Sequence, residues 1–454
     1  MSEVTHESVP EVAQQVAHLR RAAPAWDALG VEARRCVLER WAEVVRARRS
    51  ELRDSLSRDT GRVELSDMEI DAVLASVARQ GAWAPEIFAG EGERSSSNPG
   101  VTLTEASVPV GVVGVISPWN FPLQLALIDA VPALLMGCPV IVKPTEVCPE
   151  FVKPLRETVA AVPELAEVLV FVEGGPEVGE AIVKSVDVVC FTGSVATGRR
   201  VAAAAAESFI PAFLELGGKD AAVVADGADL EMVAAALVWG GTANTGQSCM
   251  SIERVYAQDT VAEELVRALV AKAETIGLEM VEDGGQIGPF IDPRQAVAVQ
   301  AQIDAAVAAG AVVRCGGQVE THGGRPYLRP TVLTGVDHSM AVMTEETFGP
   351  VLPVMAVADM DEAVTLANAT RYGLSGAVFG PREVATAVAR RLEAGGISIN
   401  DVLLTGLVPE GEKQAFKESG MGPSRMGPAS LRRFRRQRVL LTRVEPTMQP
   451  WWYR

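Results

Sequence analysis

From Gly111 onward, short runs rich in Val and Ile alternate with segments of helical character. GVVGVIS (111–117), PVIVK (139–143), VLVFV (168–172), DVVCF (187–191) and AFLEL (212–216) are separated by LQLALIDAVPALLM, FVKPLRETVAAV, EVGEAIVKS and ATGRRVAAAAAE. Strands that are apolar along their whole length must be covered on both faces, and strand–helix–strand order does this with a parallel sheet. The alternation restarts at AAVVA (221–225), passes through LEMVAAALVWG and ERVYA, and continues to GGISIN (395–400). The expectation is an α/β chain with two parallel-sheet domains, whose ligands sit beyond the carboxyl ends of the strands.

The flanks differ in texture. Residues 8–90 read as packing helices: Val37, Trp41, Val44 and Val45 fall at helical spacing in VLERWAEVVRARR, with arginines on the other face. GEGERSSSNPG (90–100) is a polar loop, VTLTEASV (101–108) a half-exposed strand, and VLLTR (439–443) strand-like. The basic run LRRFRRQRVLLTR (431–443) suits a solvated or subunit-contacting strand. A length of 454 residues exceeds a single core. A net charge of −17 argues against a nucleic-acid groove. The apolar stretches near 108–117 and 123–142 are broken by Pro109, Pro118, Asp129, Pro132, Gly137 and Pro139, so neither spans a membrane. The N-terminus shows no basic region followed by an apolar run, and the six cysteines show no CxxC pairing. Both point to a reducing, cytoplasmic setting. With four histidines, no metal site is expected.

Several turns could carry chemistry. FTGSVATG (191–198) ends a buried strand and opens a helix, with Gly193 and Gly198 spaced GxxxxG, so it reads as a phosphate-binding turn or a plain strand–helix turn. VKPTE (142–146) places Lys143 and Glu146 past a strand end, where they suit ribose contacts or an ordinary surface. SPWNFP (117–122) fixes Asn120 between prolines, as an oxyanion donor or a rigid turn. Glu215 in LELGGKD reads equally as a general base or as the exposed side of a strand. Cys249 in NTGQSCMS is a core thiol or a nucleophile.

The order SPWNFP, VKPTE, FTGSVATG, LELGG, NTGQSC and EETFGPV (345–351) resembles the NAD(P)-dependent aldehyde dehydrogenase superfamily, from about residue 20 to about 445. The resemblance implies that Cys249 adds to the aldehyde carbon as a thiolate. Asn120 and the Cys249 backbone N–H would hold the oxyanion, hydride would leave for the nicotinamide, and Glu215 would activate the water that hydrolyses the thioester. It further implies cofactor contacts from Trp119, Lys143, Glu146, Gly193, Ser194, Gly198, Glu346 and Phe348. Glu146 accepts from a free ribose 2′-OH and repels a 2′-phosphate, which favours NAD, with NADP as the alternative. The implied domains are a dinucleotide-binding unit (1–91 and 109–215), a catalytic unit (216–421), and an oligomerisation arm with tail (92–108 and 422–454) that makes a homodimer or homotetramer.

The implied substrate tunnel is walled by Phe121, Gln124, Leu125, Ile128, Ser248, Met250, Leu403 and Leu404, mostly apolar, which favours a hydrophobic or aromatic aldehyde. CMSIERVY also resembles succinate-semialdehyde oxidisers, although no cation can be placed in the tunnel from sequence. Three departures stand out: GEKQAFKESGMG (411–422) replaces a PFGG-type segment, Asp129 stands where many aliphatic aldehyde oxidisers carry lysine, and a frequent glutamate of the C-terminal strand is replaced within Arg435–Arg438. All three are expected near the substrate entrance and the proton-relay region. A CoA-acylating relative and a non-catalytic binding protein are the competing readings; the presence of Glu215 weighs against the first, and that of Cys249 and Asn120 against the second.

Overall fold

A computed structural model describes residues 9–88, 92–279, 285–445 and 448. Four helices come first, Val9–Ala28, Gly30–Ala47, Arg49–Thr60 and Val63–Trp83, and Trp26, Leu38, Trp41, Leu56 and Ile70 from them enter the same core as the first sheet.

That sheet runs, in spatial order, Gly420–Met421, Ala212–Glu215, Val188–Thr192, Val113–Ile116, Val140–Lys143, Leu169–Phe171. All neighbours are parallel except the edge strand Gly420–Met421. The chain builds outward from Val113–Ile116 in one direction and then returns to Val188–Thr192 on the other side. The order therefore reverses between these two strands, and a crevice opens beyond their carboxyl ends. The turns holding Trp119 and Asn120, and Gly193 and Ser194, are the ones that follow them.

The second sheet has seven strands in the order Val312–Cys315, Thr331–Thr334, Val351–Val357, Ile252–Gln258, Asp220–Val224, Ser375–Phe379, Gly396–Ile399, with only the first antiparallel. Asp220–Val224 is buried throughout, as its apolar sequence requires. A separate three-stranded antiparallel sheet joins Gly92–Ser95, Val101–Pro109 and Arg435–Arg443.

Two elements differ from expectation. The single helix read over 123–136 is two, Pro122–Leu127 and Ala130–Leu135, because Pro132 has no N–H to bond the carbonyl of Ile128. The basic run is not a uniformly solvated strand. Arg433 is buried and Arg435 nearly so, the latter bonded to Ser107 and to the Met136 carbonyl, whereas 436–442 are exposed.

Candidate active site

A cavity of about 220 Å³ opens where the two large sheets meet. Its wall contains Trp119, Asn120, Leu125, Gly193, Ser194, Glu215, Cys249, Glu346 and Phe348, together with Pro118, Thr192, Leu216, Gly217 and Gln295. Nine residues singled out in the sequence, from six segments, thus share one space. Glu215 ends its strand half-buried and faces this cavity rather than bulk solvent.

The glycine pair after Glu215 sets the spacing. A Cβ on Gly217 would lie 2.4 Å from the Glu346 carboxylate, and one on Gly218 would lie 2.5 Å from the Cys249 carbonyl oxygen. Only hydrogen allows both approaches. The Gly218 N–H donates to Glu346 (3.2 Å). Burial, then the neighbouring Glu253, pushes the Glu346 carboxyl above its usual range.

The loop before Cys249 is constrained from within. Asn244 and Thr245 both have left-handed backbones (φ 55° and 58°), a conformation that costs energy in non-glycine residues. Gln247 is fully buried. Its Nε2 donates to the Asn244 carbonyl (3.1 Å) and the Pro289 carbonyl (3.3 Å), and its Oε1 accepts from Ile291 N (2.9 Å). The Asn120 amide donates to the Gln247 carbonyl (3.0 Å), which ties the SPWN turn to the cysteine loop.

Phe348 and Glu346 are positioned through the second sheet. Lys219 donates to Glu253 (2.8 Å) and to Thr347 Oγ1 (2.8 Å), and Glu253 accepts from the backbone N–H groups of Thr347 and Phe348 (2.7 Å each). Phe348, itself left-handed (φ 54°), meets Trp119 edge-on at 5.5 Å between centroids.

The residues present fit a dinucleotide. Ser194 caps the helix Val195–Glu207, accepting from Thr197 N, so that helix presents its N-terminus to the cavity. Gly198 packs on Leu216, where a Cβ would come within 2.5 Å. Lys143 is buried and donates to Glu146 (2.9 Å), whose carboxylate remains half-exposed. Burial alone would raise the Glu146 pKa, but the hydrogen bond and charge of Lys143 take it below the ordinary value. Lys143, Glu146 and Gly198 lie outside the cavity wall.

Of the tunnel residues, Leu125 lines the cavity; Phe121, Gln124, Ile128, Ser248, Met250, Leu403 and Leu404 are not part of its wall. Met250 instead accepts from Thr405 Oγ1 at its sulfur (3.4 Å) and would meet a Cβ on Gly406 at 3.0 Å. Leu403 is left-handed (φ 55°) and starts the short helix Leu404–Leu407.

Asp129 is an interior residue. It is buried between two arginines, Arg425 (2.8 Å) and Arg433, and Arg425 also reaches Thr192 Oγ1 (2.5 Å) on the cavity wall. Sequence reading did not single out Thr192, Gln247, Gln295 or Lys413. Lys413 lies in the altered 411–422 segment, with its Cδ 3.1 Å from where a Gly396 Cβ would stand. Burial pushes the Cys249 thiol up to about 12, and Lys413 is the strongest charge opposing that rise. A lysine in a polar loop carries no local signal for such a role. Among the described residues no cluster could hold a metal ion, and no helix is long and apolar enough to cross a membrane.

The aldehyde dehydrogenase family model matches residues 1–440. PutA of Anabaena variabilis, provisionally named an aldehyde dehydrogenase, superposes with a TM-score of 0.97 at 50% identity, covering 99% of this chain and 97% of that one. A betaine aldehyde dehydrogenase from Staphylococcus aureus, solved with NAD+, superposes with a TM-score of 0.92 at 29% identity, covering 99% and 93%. A protein of Mycolicibacterium smegmatis provisionally named succinate-semialdehyde dehydrogenase [NADP(+)] is 35% identical over 86% of this chain and 76% of its own length. The chain belongs to the aldehyde dehydrogenase family.

Proposed function

We propose, on the premise of that membership, that Cys249, Glu215 and Asn120 carry the oxidation of a hydrophobic or aromatic aldehyde to its carboxylic acid. The enzyme is an NAD(P)-dependent oxidoreductase acting on aldehydes. The observation that carries the residue assignment is their convergence on one cavity from three separate segments.

In this reading the Cys249 thiolate attacks the aldehyde carbon and forms a hemithioacetal. The Asn120 amide and the Cys249 backbone N–H hold its oxygen; the Asn120 amide is already fixed by its bond to the Gln247 carbonyl, and preorganised donors act most strongly. When bound, a nicotinamide would supply the acceptor for the hydride. Trp119, Phe348 and Glu346 orient it, and Gly193, Ser194, Lys143 and Glu146 hold the rest of the dinucleotide, with NAD preferred because Glu146 is a half-exposed carboxylate. Glu215 then takes a proton from water as it attacks the thioester, and Cys249 leaves. The domains in this reading are 1–91 and 109–215 for the cofactor and 216–421 for catalysis, of which 1–8, 89–91 and 280–284 lie outside the described residues. The exposed arm strand supports a homodimer or homotetramer, and the setting is cytoplasmic.

A carboxylate-ended aldehyde, such as a short semialdehyde, is a second reading. Lys413 favours it, because it places a cation in electrostatic reach of Cys249. A panel of aromatic, aliphatic and semialdehyde substrates, followed by NADH absorbance, separates the two. For the chemistry, Cys249→Ala is expected to abolish aldehyde-dependent NADH formation while cofactor binding survives; full turnover in that variant removes Cys249 as the nucleophile. Acyl-CoA as the sole product in the presence of CoA overturns the hydrolytic step.

A further inference from the structure

Two residues that no motif includes reach the site from the N-terminal helices. Arg62 follows Gly61, which ends the helix Arg49–Thr60 in a left-handed conformation (φ 72°) and packs where a Cβ would lie 2.5 Å from Pro289. That turn sends the Arg62 side chain inward, over the ring of Phe121 (5.6 Å), and leaves it fully buried. Glu69, two turns along Val63–Trp83, is also fully buried and pairs with Arg62 at 3.1 Å.

Their remaining bonds converge on Asn120. Arg62 Nη1 donates to the Asn120 carbonyl (3.1 Å) and to Asn244 Oδ1. Asn244 Nδ2 donates to the same Asn120 carbonyl (3.0 Å) and to the Gln247 carbonyl (3.0 Å). Glu69 Oε2 accepts from the N–H groups of Leu123 (2.9 Å) and Gln124 (3.1 Å), just beyond Asn120. Asn120 is therefore gripped at its carbonyl and along the turn that follows. Of the two N–H groups on its amide, one is committed to Gln247, and the second is available at the cavity that Asn120 lines.

We propose that Arg62 and Glu69 are positioning residues that hold the Asn120 amide, and the strained Asn244–Thr245 backbone before Cys249, in the geometry that stabilises the hemithioacetal oxyanion. This inference rests on the assignment of Asn120 and Cys249 above. A role in stability alone does not account for the pair. Apolar side chains of similar volume generally serve packing as well as a buried ion pair, and Arg62 Nε has no hydrogen-bond partner, a cost that packing would avoid. A donor aimed at a developing charge, by contrast, loses much of its effect when displaced by a fraction of an ångström.

The test compares Arg62→Lys and Glu69→Gln with Asn120→Ala. Lysine keeps the charge but cannot reach a carbonyl, an amide oxygen and a carboxylate in one plane. Each of the first two variants is expected to lower kcat at least tenfold, with KM and cofactor Kd within about twofold of the parent and a cooperative thermal transition retained. In single-turnover NADH formation, Arg62→Lys should cost clearly less once Asn120 is alanine than it does in the parent, because much of its effect runs through that amide and the rest through the Asn244–Thr245 backbone. Unchanged kcat in both variants overturns the proposal. So do effects of Arg62→Lys and Asn120→Ala that multiply, or loss of folding in both Arg62→Lys and Glu69→Gln. Full turnover in Asn120→Ala sinks the assignment of the site itself, a result distinct from failure of this inference.

Discussion

Burial pushes the Cys249 thiol up to about 12, which favours the neutral thiol over the reactive thiolate. A raised acid pKa leaves the neutral form dominant below that value, so the reactive thiolate fraction grows tenfold with each pH unit. Alkylation of Cys249 by iodoacetamide, followed by the mass of its peptide, should climb by about tenfold per unit between roughly pH 7 and 9 without levelling. Lys413→Met should slow it throughout, since the opposing cation is gone. A plateau below about pH 8 would contradict burial as the controlling influence. At this scale the sequence put forward Cys249, Glu215 and Asn120 as candidates, because the order of their motifs along the chain is specific even though each motif alone leaves two readings open. Lys413, Gln247 and Arg62 escaped, since each gains its role from partners far along the chain or in another segment, and nothing beside them marks that.

At the scale of elements, apolar strands and glycine- or proline-marked turns were legible because their physics is local. A run such as VVCF must be buried wherever it occurs, and FTGS must turn. Charged segments behaved differently. Arg433 lies in a run that looks solvent-facing, yet it is buried against Asp129 with Arg425 on the other side. Burial alone would raise the Asp129 pKa, but the two arginines hold it below its ordinary value. Asp129→Ala would leave two buried guanidinium groups uncompensated and should destabilise the protein by about 3–5 kcal/mol, read from denaturant unfolding. A loss below about 1 kcal/mol would show that the arginines find other partners or water. The same cluster touches Thr192 on the cavity wall, so the variant should also lower turnover in the surviving fold.

For the whole molecule, the arm sheet bears on assembly. Among the described residues, Arg435–Arg443 pairs with Val101–Pro109 along one side only, and its Val439, Leu440 and Leu441 are at least half exposed. An edge strand with unpaired backbone groups and apolar side chains is stable in water when something covers it. A second copy of the chain is the expected cover. Replacing Val439 and Leu441 together by lysine should shift the assembly to a smaller species in light scattering. A wild-type monomer at micromolar concentration would remove this role for the arm.

The sequence by itself determined the α/β class, the two sheets and the family, and put forward the candidate reacting groups, because alternation and turn residues are encoded within a few positions of one another and the order of the motifs is written along the chain. Only the tertiary structure decided that Glu215 faces a cavity rather than solvent, that Asp129 and Arg433 are interior, and that Lys413 bears on Cys249. These depend on which distant segments pack together. Burial and the resulting electric field are properties of that packing, and no window along the chain contains them.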